Sequence, residues 1–169
     1  MSDCPMQIAH RGEPILTLIA TAVTDQEFAS AWLIALLSAM KSTLLSKNGV
    51  GIAAPQVYVS KRIIIVASHP NPRYPDAPCM QPLAMINPKI LAQSLTQTWG
   101  EEGCLSVPRQ RGEVARAQDI EVEYFTVDGT RCQQHFSGFI ARIIQHEIDH
   151  LNGVLFVERL ATTRSAQPI

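Results

Sequence analysis

No two of the four cysteines, Cys4, Cys79, Cys104 and Cys132, stand in a Cys-x-x-Cys pair. That excludes a zinc knuckle and a thioredoxin-like redox site, and it fits a cytoplasmic chain with reduced thiols, one of which can serve a metal. Charge of one sign is also scarce. A net charge of −1 and a pI near 6.5 offer no footprint for direct nucleic-acid contact or for an anionic membrane surface. The longest apolar runs, such as residues 63–67, are too short to span a bilayer. The opening residues MSDCPMQIAHRGEPIL carry an acid at Asp3 and no long apolar stretch, so neither a secretory signal nor an Arg-rich organelle leader is indicated. Internal repeats and low-complexity tracts are lacking. With 169 residues at 46% hydrophobic, the sequence suits one compact domain over 1–169 with a sizeable core.

What is present is a set of alternating short elements. Residues 1–23 read as an extended, loop-rich lead-in. Thr24-Asp25-Gln26-Glu27 has the form of a capping box and predicts a helix start there. Phe28, Trp32, Leu33, Leu36, Leu37, Met40 and Leu44 continue as a helical stripe that Asn48-Gly49 ends, which predicts a core-packing helix. GVGIAAPQV at 49–57 formally matches a dinucleotide fingerprint. That reading needs a strand before the glycines and a helix after them, and here a helix precedes and Pro55 follows. A strand is predicted at about 62–67. More than half of the 11 prolines crowd between Pro70 and Pro88, predicting a rigid surface loop before strand-like AMINPKI. QSLTQTWGEEG reads as a further strand. Ile120, Val122 and Tyr124 alternate with Glu121, Glu123 and Phe125, a half-buried strand, and Asp128-Gly129 turns the chain back through 130–136. The predicted fold is α+β: antiparallel strands wrapped around a central metal-ligand helix, with an N-terminal packing helix.

That central helix is SGFIARIIQHEIDHLNG. Phe139, Ile140, Ile143, Ile144, Ile148 and Leu151 keep helical spacing, Ser137 can cap the start, and Asn152-Gly153 can stop it. His146, Glu147 and His150 form H-E-x-x-H. Four residues apart on a helix, both imidazoles can face one metal ion, and Glu147 then lies where it can handle a proton of a bound water. An amphipathic helix with two polar-face histidines and no metal is the alternative. A catalytic metal usually has a third protein ligand and an open position. Downstream of His150 only Glu158 is available, without a helical ligand pattern. Cys104, in a turn bracketed by Gly103 and Pro108, is the better candidate, although a lone cysteine is ordinarily a small buried hydrophobe, as Cys4, Cys79 and Cys132 are read to be. Glu101, Glu102 and Arg111 read as solvated turn charges, and His10, His69 and His135 as ordinary histidines.

GVGIAAPQ, EGCLS and HEIDH, in this order and separation, resemble the three motifs of the peptide deformylases, and the similarity runs from the N-terminal helix through Phe156. The resemblance implies removal of the formyl group from the N-terminal formyl-methionine of nascent chains. It implies Cys104, His146 and His150 as ligands of iron(II), for which zinc, nickel or cobalt can substitute, with Glu147 as general acid/base. By the same resemblance Gln56 and the Leu105 amide hydrogen-bond the formyl oxygen. Val50, Gly51 and Gly103 then flank the substrate backbone, and Phe139 and Ile143 line the methionine pocket. Asp149 and Arg116 are either a pair that fixes a ligand histidine or a plain surface ion pair. Two departures from the family pattern stand out: Arg142 replaces an aliphatic residue of some relatives, and no long C-terminal helix for ribosome docking follows His150. A zinc endopeptidase using H-E-x-x-H, and a non-catalytic metal-stabilised module, are the competing readings.

Overall fold

The computed structural model describes residues 4–160. Seven strands and two helices follow one another in the order α1 (Ala31–Ser46), β1 (Gly51–Ala53), β2 (Ile63–Val66), β3 (Leu83–Gln93), β4 (Gln97–Cys104), β5 (Val107–Ala117), β6 (Asp119–Phe125), β7 (Arg131–Ser137) and α2 (Gly138–Leu151). The strands form a five-stranded sheet of order β1-β2-β3-β6-β7 and a separate two-stranded sheet, β4-β5, with antiparallel pairing throughout the named strands. Among the described residues no helix is long and apolar enough to cross a membrane.

The burial of β2 explains why its sequence, IIIV, lacks the alternation of a half-wet strand. Ile64 and Val66 join Ala53, Met85, Ile120 and Val122 in the core beneath α2. Ile63 and Ile65 point the other way, into a second core with Leu33, Leu36, Met40 and Leu44 of α1. Successive strand side chains alternate faces, so a strand clamped between two helices must be apolar at every position.

Helix α1 begins later than the capping-box spacing predicts. Glu27 does reach back to the Thr24 N–H at 2.7 Å, and it also pairs with Lys61 at 2.8 Å. The turn closes there, however, because Ala29 adopts φ +55° and breaks the helical path. Ser30 is the actual cap, its hydroxyl accepting from the Leu33 N–H at 3.1 Å. At the other end Asn48, with φ +53°, supplies the left-handed residue that stops the helix.

One further expectation changes. Cys4 and Cys79 are exposed, not small core residues, while Cys132 is half-buried against the core. They lie near the N-terminus, in the proline-dense loop and on a strand at the sheet edge, all of which run over the surface. Helix α2 keeps its predicted apolar stripe, and every residue from Ala141 to Leu151 is buried. Its polar face lies under the β4-β5 sheet, in keeping with a central helix wrapped by strands. The absence of a long helix after His150 was expected partly of residues 161–169, which lie outside the described residues. Within them only a single 3-10 turn, Phe156–Arg159, follows.

Candidate metal centre

The buried polar face of α2 has to find partners, because an unpaired polar group out of water costs about 1–3 kcal/mol. The β4-β5 sheet supplies them. Strand β4 ends at Cys104, and residues two apart on a strand share a face, so Cys104 and Glu102 both point down onto α2. Helical spacing places His146 and His150 beneath them. The Cys104 Sγ and the His146 and His150 ring nitrogens lie within 4.8 Å of one another, and all three residues are buried. The Sγ to His150 Nε2 distance is 3.3 Å.

Glu102 organises the surroundings. Its carboxylate accepts from His146 Nδ1 at 2.8 Å. A carboxylate can only accept, so Nδ1 carries the proton and Nε2 is left with its lone pair directed elsewhere. Arg116 grips both Glu102 oxygens, at 2.9 and 3.0 Å, and reaches Asp149 at 2.6 Å. Arg142 adds a second guanidinium on Glu102 at 2.9 Å, and its remaining donors reach the carbonyls of Val114 and Thr98. Asp149 is held in turn by Arg159 at 2.8 Å. Burial alone would raise the Glu102 carboxyl, but the hydrogen bonds from Arg116 and His146 outweigh it and hold Glu102 well below the usual carboxylate range.

The pair Asp149–Arg116 therefore exists and is buried, whereas the residue that touches the ligand histidine is Glu102. Reading Glu102 as a solvated turn charge was wrong: it is 3% exposed. The usable signal was the two-residue spacing from Cys104. Glu101, one position off, lies on the wet side and pairs with Arg111 at 3.1 Å, as expected of a solvated turn. His10, His69 and His135 stand outside the cluster.

The donor set fits a metal ion. Burial would raise the Cys104 thiol, but His150 and His146 bring it well below its ordinary value, which is the thiolate form a metal needs. Two buried atoms, Glu147 Oε2 and His150 Nδ1, have no hydrogen-bond partner among the described residues. Glu147 follows the first histidine on the helix. Burial raises its carboxyl to about 7 against the opposing pull of His146 and His150, close to where a group can both take and give a proton at neutral pH. Gly51 of β1 passes directly over it: a Cβ there would meet Glu147 Oε1 at 2.5 Å and Ile143 at 2.7 Å.

The other predicted residues converge on the same place. A cleft with about 470 Å³ of empty space, its mouth included, is walled by Val50 and Gly51 on one side and Gly103, Cys104 and Leu105 on the other. Phe139, Ile143, His146 and Glu147 form its floor. Gln56 lies in the wall with its Oε1 accepting from the Ala53 N–H at 2.9 Å. That fixes the amide so that Nε2 faces Cys104 Sγ at 3.5 Å and Ser106 at 3.0 Å. His150 sits just behind, 1% exposed. Three residues outside the motifs also line the cleft: Arg73, Arg142 and Tyr74, whose ring meets Phe139 at 4.9 Å and whose hydroxyl accepts from the Gly103 N–H.

Comparison with known proteins converges on one family. The family model described as polypeptide deformylase matches residues 5–166. Curated relatives include peptide deformylase 2 of Nostoc sp., 50% identical over 155 residues that cover 92% of this chain and 86% of the relative. Peptide deformylase 2 of Shewanella oneidensis is 48% identical over 92% of this chain and 84% of its own length. Among solved structures, the Met-Ala-Ser-bound class I type b peptide deformylase of Acinetobacter baumannii superposes with a TM-score of 0.92 at 57% identity, covering 94% of this chain and 99% of that one. The peptide deformylase of Thermotoga maritima gives 0.83 at 34% identity over 94% of this chain and 99% of its own.

Proposed function

The chain belongs to the polypeptide deformylase family, and from that premise we propose how its own residues divide the work of removing the formyl group from N-terminal formyl-methionine. The observation that carries this reading is a thiolate and two imidazoles converging beside a buried carboxylate, Glu147, whose Oε2 has no partner among the described residues, at the floor of a cleft of mixed polar and apolar lining. Cys104, His146 and His150 hold the metal, and when bound it supplies Lewis acidity and a water acidified toward neutrality. Iron(II) is the proposed ion, with zinc, nickel or cobalt as substitutes.

Phe139 and Ile143 receive the methionine side chain, while Val50, Gly51 and Gly103 run beside the peptide backbone. Gln56 Nε2 and the Leu105 amide donate to the formyl oxygen as it gains negative charge; one such donor is worth about 3–4 kcal/mol. Glu147 takes the proton of the attacking water and returns it to the departing nitrogen, so formate and a free amine leave. Glu102, fixed by Arg116 and Arg142, keeps His146 in one tautomer and one orientation. Formyl-methionine ends belong to newly made chains, so nascent polypeptides are the proposed partners, the cytoplasm the proposed compartment, and 1–169 a single working domain.

Formate release from formyl-Met-Ala-Ser, against none from acetyl-Met-Ala-Ser, is the expected result. Cleavage inside an unformylated peptide without formate release would overturn it in favour of an endopeptidase. Iron(II) beside a thiolate is open to oxidation, so the iron form should lose activity in air faster than the nickel form; equal lifetimes would count against iron as the sensitive partner.

A further inference from the structure

The cleft does not end at the metal ligands. Past Gly103, Cys104 and Leu105 it opens into a second groove whose walls include Arg73, Arg109 and Arg111. Arg73, Gly103, Cys104 and Leu105 belong to both hollows, so the two adjoin along a shared wall. No aspartate or glutamate lines the outer part, in a chain whose net charge is −1.

The three arginines differ in how far they are already committed. Arg111 is paired with Glu101 at 3.1 Å and stacks over the Tyr74 ring at 4.9 Å. Its Nη2 also donates to the Arg73 carbonyl at 3.4 Å, tying the proline-dense loop to β5. Arg73 uses one nitrogen on the carbonyls of Asn48 and Lys47 at the end of α1 and has no carboxylate partner among the described residues. A guanidinium carries five N–H donors, so most of its capacity is left over. Arg109 is exposed, has no ion-pair partner among the described residues, and sits in left-handed backbone at φ +65°. Such a conformation costs a side-chain-bearing residue about 1 kcal/mol or more and recurs at ligand-facing positions.

Tyr74 links the two hollows. Its ring packs tilted against Phe139, and Arg111 lies over the ring face. The wall between the two hollows therefore turns from apolar at Phe139 to basic at Arg111.

We propose that Arg73 and Arg109, with Arg111 behind them, form a downstream subsite that favours formyl-methionyl chains carrying a carboxylate within the first few residues after methionine. This rests on the deformylase reading above. Arg73 and Arg109, without carboxylates of their own, attract an acidic side chain and repel a lysine, and because the groove is open to solvent the attraction is screened by salt.

The test is a set of C-terminally amidated formyl-Met-Ala-Ser-X-X peptides with X as Asp, Ala or Lys, which removes the terminal carboxylate as a confounding anion. The expected result is a kcat/KM ratio of Asp over Lys of about three- to tenfold at low ionic strength, shrinking as salt is added. R73A/R109A should bring the ratio to about one, R109K should retain most of it, and R109E should reverse it. Because the readout is a ratio between peptides, a general loss of activity does not imitate it. Equal kcat/KM for the three peptides, or a ratio that persists in R73A/R109A, would overturn the subsite while leaving deformylation intact. Equal peptide ratios together with salt-sensitive binding of an RNA oligonucleotide that R73A/R109A abolishes would overturn it in favour of a nucleic-acid surface. No formate from any of the peptides would overturn the deformylase reading itself.

Discussion

Single side chains in this protein carry unequal burdens, and Glu102 and Glu147 show the contrast. Glu102 accepts from two guanidiniums and one imidazole, so its removal strands four buried N–H donors on three side chains. Glu102→Ala should destabilise the fold by roughly 3–5 kcal/mol in urea or guanidinium titration and weaken metal affinity about 10–100-fold in a competition assay. Glu147 touches no protein partner through Oε2, so Glu147→Gln should keep the fold and the metal while deformylation falls by about 10² or more. A variant with normal metal content and near-normal turnover would remove Glu147 from the chemistry. Gly51→Ala tests the same carboxylate from outside, since the added methyl would press on Glu147 Oε1; turnover should fall far more than stability. His146, Glu147 and His150 were legible because H-E-x-x-H encodes its geometry in spacing alone, whereas Cys104 rested on its turn between Gly103 and Pro108 and on the EGCLS resemblance. Glu102 was not, since a Glu-Glu-Gly turn looks solvated until one asks which residue shares a strand face with Cys104.

At the level of elements, the end of α2 is as specific as its chemistry. Val154 N–H reaches the Asp149 carbonyl at 2.9 Å and Gly153 N–H the His150 carbonyl at 3.2 Å, a Schellman closure with Gly153 at φ +75°. A Cβ on Gly153 would come within 2.5 Å of the Thr17 carbonyl oxygen. Gly153→Ala should therefore cost about 2 kcal/mol or more in denaturant midpoint analysis and loosen the metal, because His150 lies in the last turn. The Asn-Gly stop signals of both helices were readable from sequence, and so were strands β2, β3, β4, β6 and β7, but not the short β1 or the start of β5 at Val107. The start of α1 was not. Thr24 to Glu27 satisfies the local capping pattern, and only the left-handed turn at Ala29, which no residue preference announces, hands the cap to Ser30.

For the whole molecule, the ligands come from two bodies that share no ladder: Cys104 from the β4-β5 sheet and the histidines from α2. A metal bound across them stabilises only the assembled state. Chelation should lower the melting temperature by roughly 5–15 °C relative to protein with metal in large excess over its dissociation constant, and the difference should vanish in Cys104→Ser. An unchanged melting temperature on chelation would mean that the two bodies are not joined by the ion. The α+β class followed from the order of elements, whereas the burial of the polar face of α2 did not, because amphipathic spacing says which face is apolar and not what covers the other. The strand between the helices is the quiet counterpart of that centre. Ile63, Ile64, Ile65 and Val66 have no wet side at all, so any of them exchanged for a hydrophilic residue injures one core or the other. Mutational tolerance across this protein should thus be lowest not only around the chemistry but also along four aliphatic residues that never meet a substrate.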